Sequence, residues 1–329
     1  EIFYHFKIYV SLQQRQADLD QSRRLREEGR PAEAAVAAKK VLESERRLFP
    51  GDPALADTLL WLAEVSVEAD QAGGAESACR EAVKILEDAA GTQPWRIADA
   101  RLLLSHIQRV AGFGQPERRR LRDALNRVSD ARRLLEASRP AEAIPILTES
   151  AAVQRQLLGP ADHVYIDTLD LLAAACQADH RPAEAEGRLR AILEALATMV
   201  GKRHPRYLDV QNRLALVLHS MGDYDRAAAL FEETARLATQ VHGAEHPERL
   251  TALNNLAAVL LDQGRYAKAI PILRNLVELQ AKRNGQDHAD YATALNNLAA
   301  AHLAIGDLSG AVGLAAGCVE VREKVLGPD

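Results

Sequence analysis

The fold of this chain is indicated by a short string that recurs at a fixed spacing. The string reads Gly222-Asp-Tyr-Asp-Arg-Ala227, Gly264-Arg-Tyr-Ala-Lys-Ala269 and Gly306-Asp-Leu-Ser-Gly-Ala311. The same pattern, with another residue in place of the first Gly, begins at Ser138 and at His180. All five copies start 42 residues apart. A fixed period of this size indicates a repeat protein, in which each copy is one structural unit stacked on its neighbours.

A second landmark has the same period and supports the first. It consists of Gly159, Gly201, Gly243, Gly285 and Gly327. Between the two landmarks apolar residues recur at helical spacing twice per period, which predicts two antiparallel helices in each repeat. Gly at the hinge allows the left-handed conformation that ends a helix, and the Ala five residues later is small enough for the two helices to cross closely. Each repeat is therefore predicted to be a helical hairpin.

The N-terminal part of the chain follows this period less regularly. Hinges are expected at Gly29 and Gly73, with small residues at Ala34 and Ala78, but the next hinge at Ser138 lies 65 residues after Gly73. Whole hairpins would place successive hinges about 42 residues apart, so a distance of 65 residues contains one additional helix. We read residues 116–137 as the first helix of a hairpin, and the hairpin before it as lacking its second helix.

Together these patterns predict an all-α fold, an α-solenoid of about 15 helices. The composition agrees with an all-α fold. It is rich in alanine and only 4% of the residues are aromatic, whereas β-sheet cores depend on aromatic and β-branched residues. Three segments are expected: residues 1–12, an apolar leader of uncertain structure; residues 13–112, irregular repeats; and residues 113–329, a regular array. The aromatic leader has three open interpretations, as a segment docked on the first helices, a membrane-proximal remnant or a partner-binding strand.

Charge and cysteine content restrict the class of partner. The net charge of -5 gives no general attraction to nucleic acid or to an anionic membrane surface, and no apolar run is long enough to span a bilayer. Cys79, Cys176 and Cys318 lie too far apart for a disulfide framework or a cysteine metal site, so a reduced, cytoplasmic location is expected.

Motifs for catalysis are absent from the sequence, so we expect neither an enzyme nor a cofactor. His242 and His246 are four residues apart, as a metal-binding pair on a helix would be. However, Gly243 lies between them, and the position of His246 recurs as His204 and His288. Repeat punctuation explains these histidines better than a metal site does.

The hinge Gly-x-Tyr-x-x-Ala, the string Leu-Asn-Asn-Leu-Ala at residues 253–257 and 295–299, His246-Pro247 and residues 320–327 also carry a family resemblance. They resemble the tetratricopeptide repeat, in its 42-residue kinesin light chain-like form. Helical repeats of the HEAT or armadillo type have similar periods but neither landmark. The resemblance implies a right-handed superhelix whose first helices line a concave, peptide-binding groove.

The same resemblance implies which side chains face that groove. The second Asn of each Asn-Asn pair would offer its amide to an extended peptide backbone. The groove candidates are Arg213, Thr251, Asn255, Thr293, Asn297 and Arg322. A second interpretation remains open, in which Asn255 and Asn297 bridge adjacent hairpins instead.

The helix at residues 116–137 is rich in arginine and is the strongest basic patch. Its candidate residues are Arg118, Arg119, Arg122 and Arg132. The patch is either a solvated face with ion pairs four residues apart or a surface for an acidic protein tail or a phosphate backbone. Because stacking aromatics are lacking, no nucleic-acid partner is expected.

These observations favour a non-enzymatic scaffold that holds a protein or peptide partner, with pairing of two copies through the terminal repeats left open. One alternative is a sensor or regulatory domain of a larger caspase-like protease or kinase, since the next His of the period would fall one residue beyond Asp329. Another is a bacterial kinesin light chain-like protein that associates with tubulin-like filaments.

Overall fold

The computed structural model describes residues 2–48 and 52–326, with side-chain surroundings between residues 14 and 325. The described residues form fifteen helices and no strand. The helices are α1 (Ile2–Glu27), α2 (Pro31–Leu48), α3 (Leu55–Glu68), α4 (Ala72–Asp88), α5 (Pro94–Ala111), α6 (Gln115–Glu136), α7 (Pro140–Leu158), α8 (His163–Ala178), α9 (Pro182–Met199), α10 (Pro205–Ser220), α11 (Tyr224–His242), α12 (Pro247–Asp262), α13 (Tyr266–Asn284), α14 (Ala289–Ala304) and α15 (Leu308–Leu326). The predicted all-α solenoid of about 15 helices is confirmed.

The chain divides into two compact units, which we call the N-terminal and C-terminal units. The N-terminal unit comprises Glu1–Ser129 and Thr148–Thr168, and the C-terminal unit comprises Asp130–Leu147 and Leu169–Asp329. The boundary predicted from the sequence, between residues 112 and 113, separates irregular from regular repeats rather than compact units, and it stays a prediction. Within the C-terminal unit, the helices from α9 to α15 pack consecutively, and α12 also contacts α10 and α14.

The N-terminal unit contains the predicted extra helix. Helices α1 to α5 pack consecutively, and α5 also contacts α3, as the first helix of a hairpin contacts the first helix of the preceding hairpin. However, α5 is followed by α6, which the hinge at Ser138 joins to α7. Residues 2–12 belong to α1, so the strand interpretation of the leader is wrong for them. The surroundings of their side chains lie outside the described part of the chain.

The hinges between paired helices have the left-handed backbone that the sequence predicts. The hinge residues with positive φ are Gly29, Asp70, Ser138, His180, Gly222, Gly264 and Gly306. The alanine five residues after each hinge is buried where the two helices cross: Ala34, Ala75, Ala143, Ala185, Ala227, Ala269 and Ala311. The expected hinge at Gly73 is wrong, since Gly73 lies inside α4 and Asp70 turns the chain with a φ of 64°. Asp tolerates this conformation because its short polar side chain can hydrogen-bond locally.

The second landmark marks the ends of the hairpins. Gly159, Gly201, Gly243 and Gly285 all have positive φ, and Gly327 lies outside the described residues. The histidines that follow cap the next helix: the Nδ1 atoms of His204, His246 and His288 accept hydrogen bonds from backbone N–H groups two residues later, at 3.2, 3.3 and 3.2 Å. These caps satisfy N–H groups that the first turn of a helix leaves unpaired. The prediction of repeat punctuation is confirmed.

Apolar side chains fill the space between successive helices. In the C-terminal unit, Phe231 on α11 is the largest fully buried side chain. Cys79, Cys176 and Cys318 are free and buried. None of the helices in the described residues combines the length and the apolar composition that crossing a bilayer requires.

Candidate functional site

The groove candidates lie on the first helices of successive hairpins in the C-terminal unit. Helices α10, α12 and α14 contact one another in sequence, so equivalent positions lie side by side. We call their shared exposed surface the first-helix face. It is defined by Arg213, Thr251, Asn255, Thr293 and Asn297. Arg322 lies apart from this face, exposed on the second helix α15.

One position per hairpin on this face makes the same contact with the preceding hairpin. Asn255 Nδ2 donates to Asn212 Oδ1 at 3.2 Å, and Asn297 Nδ2 donates to Asn254 Oδ1 at 3.0 Å. Both asparagines therefore bridge adjacent hairpins, as the second interpretation predicts.

Arg213 continues the same row with a charged contact. Its Nη1 donates to Asp170 Oδ1 at 2.5 Å, across the same 43-residue step. Its other carboxylate neighbour, Asp209, lies 3.9 Å away and has a 64% exposed side chain. Sequence reasoning missed Asp170, because nothing in the repeat pattern pairs position 170 with position 213.

The bridging hydrogen bonds leave part of each asparagine amide available. Each bridge uses one amide proton of Asn255 or Asn297, and neither Oδ1 accepts a hydrogen bond from the described residues. Both side chains are only partly buried, and Thr251 and Thr293 one turn earlier are exposed. The first-helix face therefore presents a row of donors and acceptors to solvent.

One carboxylate pairs with two of the four arginines of the predicted basic patch on α6. Asp70 Oδ1 accepts from Arg118 at 2.9 Å and Oδ2 accepts from Arg122 at 2.8 Å, which holds the pKa of Asp70 below its usual value. Arg119 and Arg132 are exposed and have no ion pair among the described residues. The partner of Arg118 and Arg122 lies at the α3–α4 hinge, whereas the sequence suggested partners on α6 itself.

A first cluster of titratable side chains surrounds the start of α12. The rings of His242 and His246 stack with centroids 4.1 Å apart, and His242 Nε2 lies 3.2 Å from Glu248 Oε2. Burial, with the negative charge of Asp209, raises the pKa of Glu248 to about 7. Burial lowers the pKa of His242 and of His246. All three groups therefore shift toward their neutral forms.

A second cluster lies in the N-terminal unit, between α5 and the start of α8. His106 Nδ1 lies 3.1 and 3.0 Å from the two carboxylate oxygens of Asp162, and both side chains are more than nine-tenths buried. His163 Nδ1 lies 4.0 Å from Asp162 Oδ1, and its ring meets that of His106 edge to face. Arg109 approaches the same carboxylate at 3.8 Å. The repeat offers one partial signal, because Asp162 occupies the capping position that holds His204 in the next repeat.

Comparison with known proteins supports the repeat assignment. The tetratricopeptide repeat model matches residues 206–274 and 248–324. The nearly identical TPR-like repeats of a kinesin light chain from Podosopora anserina are 25% identical, with 64% of this chain and 98% of that chain covered and a TM-score of 0.56. A second crystal structure of those repeats, carrying one substitution, is 24% identical, with 66% and 100% covered and a TM-score of 0.57.

More distant similarity covers a larger share of the chain. BtubC (BKLC) from P. vanneervenii is 17% identical over 90% of this chain and 92% of its own, with a TM-score of 0.46, which is too low to support a conclusion. Among curated proteins no similar sequence was found. The family match, the hairpin period and the packing of successive helices agree with one another. The chain is therefore a tetratricopeptide-like α-solenoid, in which residues 206–324 match the tetratricopeptide repeat model, and it is similar to the repeats of a kinesin light chain.

Proposed function

We propose that this chain is a non-enzymatic scaffold that binds an extended peptide or protein segment on its first-helix face. Tetratricopeptide arrays are interaction modules, and their repeated units create extended binding surfaces. The observation that carries the proposal is the row of partly exposed amides on α12 and α14, whose Oδ1 atoms accept no hydrogen bond from the described residues.

The spacing of this row suits an extended backbone. Packed helices lie about 8–10 Å apart, whereas an extended peptide rises about 3.3 Å per residue. Asn255 and Asn297 would therefore meet backbone groups about three residues apart. An amide can donate to a carbonyl and accept from an N–H group, so each asparagine can hold one peptide unit whatever its side chain. Thr251 and Thr293 would add hydroxyl groups one helical turn away.

The bridging hydrogen bonds help to orient these amides. A side chain already held by Asn212 or Asn254 loses less conformational entropy when a ligand arrives. In this proposal the bridging and groove interpretations describe one arrangement, in which one amide proton fixes the side chain and the other polar groups contact the ligand. Arg213 and Asp209 would add a charged contact at the α10 end of the face.

The test is peptide selection followed by mutation. Peptides selected from a random displayed library against the full chain would be measured by fluorescence anisotropy with the wild type, Asn255→Ala and Asn297→Ala. Since one hydrogen bond contributes about 0.5–1.5 kcal/mol net, each substitution should weaken binding about 2–10-fold, and the double variant by more.

Asn254→Ala is the matched control. It removes the acceptor of the bridge to Asn297 but leaves both groove-facing amides in place. Its effect on affinity should be smaller than that of Asn297→Ala. Equal effects of the two variants, or undiminished binding by the Asn255→Ala/Asn297→Ala double variant, would contradict the groove assignment.

A further inference from the structure

The cluster around Asp162 is not used by the proposed peptide-binding surface and has a distinct chemistry. It brings together two imidazoles and one carboxylate, from α5 and from the start of α8, and His106 and Asp162 are 56 residues apart in sequence. His106 comes from α5, the helix that lacks a hairpin partner, while Asp162 and His163 start α8. We propose that His106, Asp162 and His163 form a binding site for a divalent transition metal ion of the Zn²⁺ type.

The donor set suits such an ion. Imidazole and carboxylate ligands bind Zn²⁺ at about 2.0–2.2 Å, and two histidines with one carboxylate leave a further position open for water. One ligand atom from each of the three residues lies within 4.8 Å of the other two. Around a tetrahedral ion of this size, donor atoms are about 3.3–3.5 Å apart. His106 Nδ1 lies 3.0 Å from Asp162 Oδ2, and His163 Nδ1 lies 4.0 Å from Asp162 Oδ1. Because all the ligand atoms lie within 4.8 Å of one another, shifts of up to about 1.5 Å bring them around one ion.

The orientation of the two rings also favours a shared ion. A metal lies near the plane of each imidazole that it binds, so two rings stacked face to face, whose in-plane lone pairs run parallel, do not converge on one ion, whereas inclined rings can. The rings of His106 and His163 meet at 72°, with centroids 4.8 Å apart. The rings of His242 and His246 are stacked at only 19°, and His246 Nδ1 is engaged in capping α12. The second pair therefore provides an internal comparison that is poorly oriented for the same ion.

Asp162 can ligate an ion without giving up its structural contact. Its Oδ1 accepts the backbone N–H of Val164 at 3.0 Å, which caps α8. Its two oxygens lie 3.1 and 3.0 Å from His106 Nδ1, so Oδ2 can act as the ligand while Oδ1 keeps the cap.

The departure from the repeat pattern occurs at the same place. The capping position is His in the three following repeats, and the next residue is Pro205, Pro247 or Ala289. Here that pair is Asp162-His163. Capping of α8 requires only Asp162, so the imidazole of His163 beside this buried carboxylate is specific to this repeat. Arg109 is the competing cation, at 3.8 Å, and its side chain is 39% exposed and can move into solvent.

The experiment uses the full chain without an affinity tag, stripped with EDTA. Zinc chloride would be titrated at pH 7.5 by calorimetry, and cobalt chloride by visible absorption, which reports imidazole and carboxylate ligation. The three cysteines are buried and should not compete. We expect one equivalent to bind at this site, with affinity reduced at least tenfold in His163→Ala and in Asp162→Asn. Asn keeps the oxygen that caps α8 but lacks the charge.

His242→Ala is the control, because it removes a ligand from the other histidine cluster. It should leave the affinity and the cobalt spectrum unchanged, or remove only a second, separate equivalent. His163→Gln, measured beside the alanine variant with circular dichroism, separates ligand loss from misfolding. The proposal is overturned if the wild type binds no stoichiometric Zn²⁺ below about 100 µM. It is equally overturned if folded His163 and Asp162 variants bind as the wild type does, or if His242→Ala removes all binding.

Discussion

Replacing Glu248 by Gln should stabilise the protein relative to the wild type, and the difference in their free energies of unfolding should grow as the pH rises. Glu248 lies in the first turn of α12, with a side chain only 21% exposed. Burial and the nearby charge of Asp209 raise its pKa from 4.5 to about 7. Gln keeps the shape and the polar contacts but carries no charge. The substitution therefore isolates the cost of ionising this buried group.

The sign follows from the direction of the shift. A carboxyl group with a raised pKa in the folded state favours folding fully below its unfolded pKa, and this contribution is lost as the pH rises through about 7. The shift from 4.5 to about 7 corresponds to about 3 kcal/mol at 1.36 kcal/mol per pH unit. Solvent that reaches the exposed part of the side chain reduces this value. Between pH 5 and pH 8, we expect Glu248→Gln to gain about 1–2 kcal/mol over the wild type.

Urea denaturation followed by circular dichroism at pH 5, 6, 7 and 8 measures this difference. His242 contacts Glu248, so its contribution differs between the two proteins at low pH. Burial lowers the pKa of His242 and of His246, so both imidazoles are neutral at pH 7 and pH 8, where the comparison reports Glu248. Glu233→Gln is the matched control: a hydrogen bond from Arg236 lowers the pKa of Glu233, so this group stays ionised from pH 5 to pH 8 and the difference from the wild type should not change with pH. Parallel stability profiles for Glu248→Gln and the wild type would refute the reasoning.

Three further sets of substitutions test the repeat architecture by thermal and urea denaturation. Gly222→Ala places a side chain at a φ of 77° and should lower the free energy of unfolding by about 1 kcal/mol. His180→Gly removes the strain of a φ of 54° and should stabilise the protein by up to about 1 kcal/mol. Effects of the same sign would contradict the hinge assignment. His204→Ala removes the acceptor for the Arg206 N–H and should cost about 1 kcal/mol, with much of it restored by His204→Asn; no loss would exclude a capping role. Phe231→Ala should cost about 3–5 kcal/mol because the side chain is fully buried, and Phe231→Leu clearly less; a cost below about 1 kcal/mol would show that the C-terminal core is loosely packed.

Much of the fold could be predicted because each repeat carries its own local instructions. The spacing of Gly222 and Ala227 predicted a left-handed hinge and a close helix crossing, and both are present. The unequal spacing before Ser138 predicted one unpaired helix, which is α5. The prediction was wrong at Gly73, since a search for glycine overlooked Asp70 as a residue that also tolerates positive φ.

The candidate sites were less predictable, because they depend on contacts between repeats. The sequence indicated that Asn255 and Asn297 occupy equivalent positions, but it left open whether their amides faced a ligand or a neighbouring hairpin. The structure pairs them with Asn212 and Asn254, a step of 43 residues that differs by one from the sequence period.

What the sequence by itself determined is the approximate number and the order of the helices and most of the hinges between them, since hinge conformation, caps and apolar spacing act over a few residues. What only the tertiary structure decided is which polar side chains meet across helices. Asp70 meets the arginines of α6, and His106 meets Asp162 over 56 residues, through packing geometry that no local pattern encodes. The physical reason is range: backbone preferences are set by neighbours along the chain, whereas charge pairing and ligand geometry are set by neighbours in space.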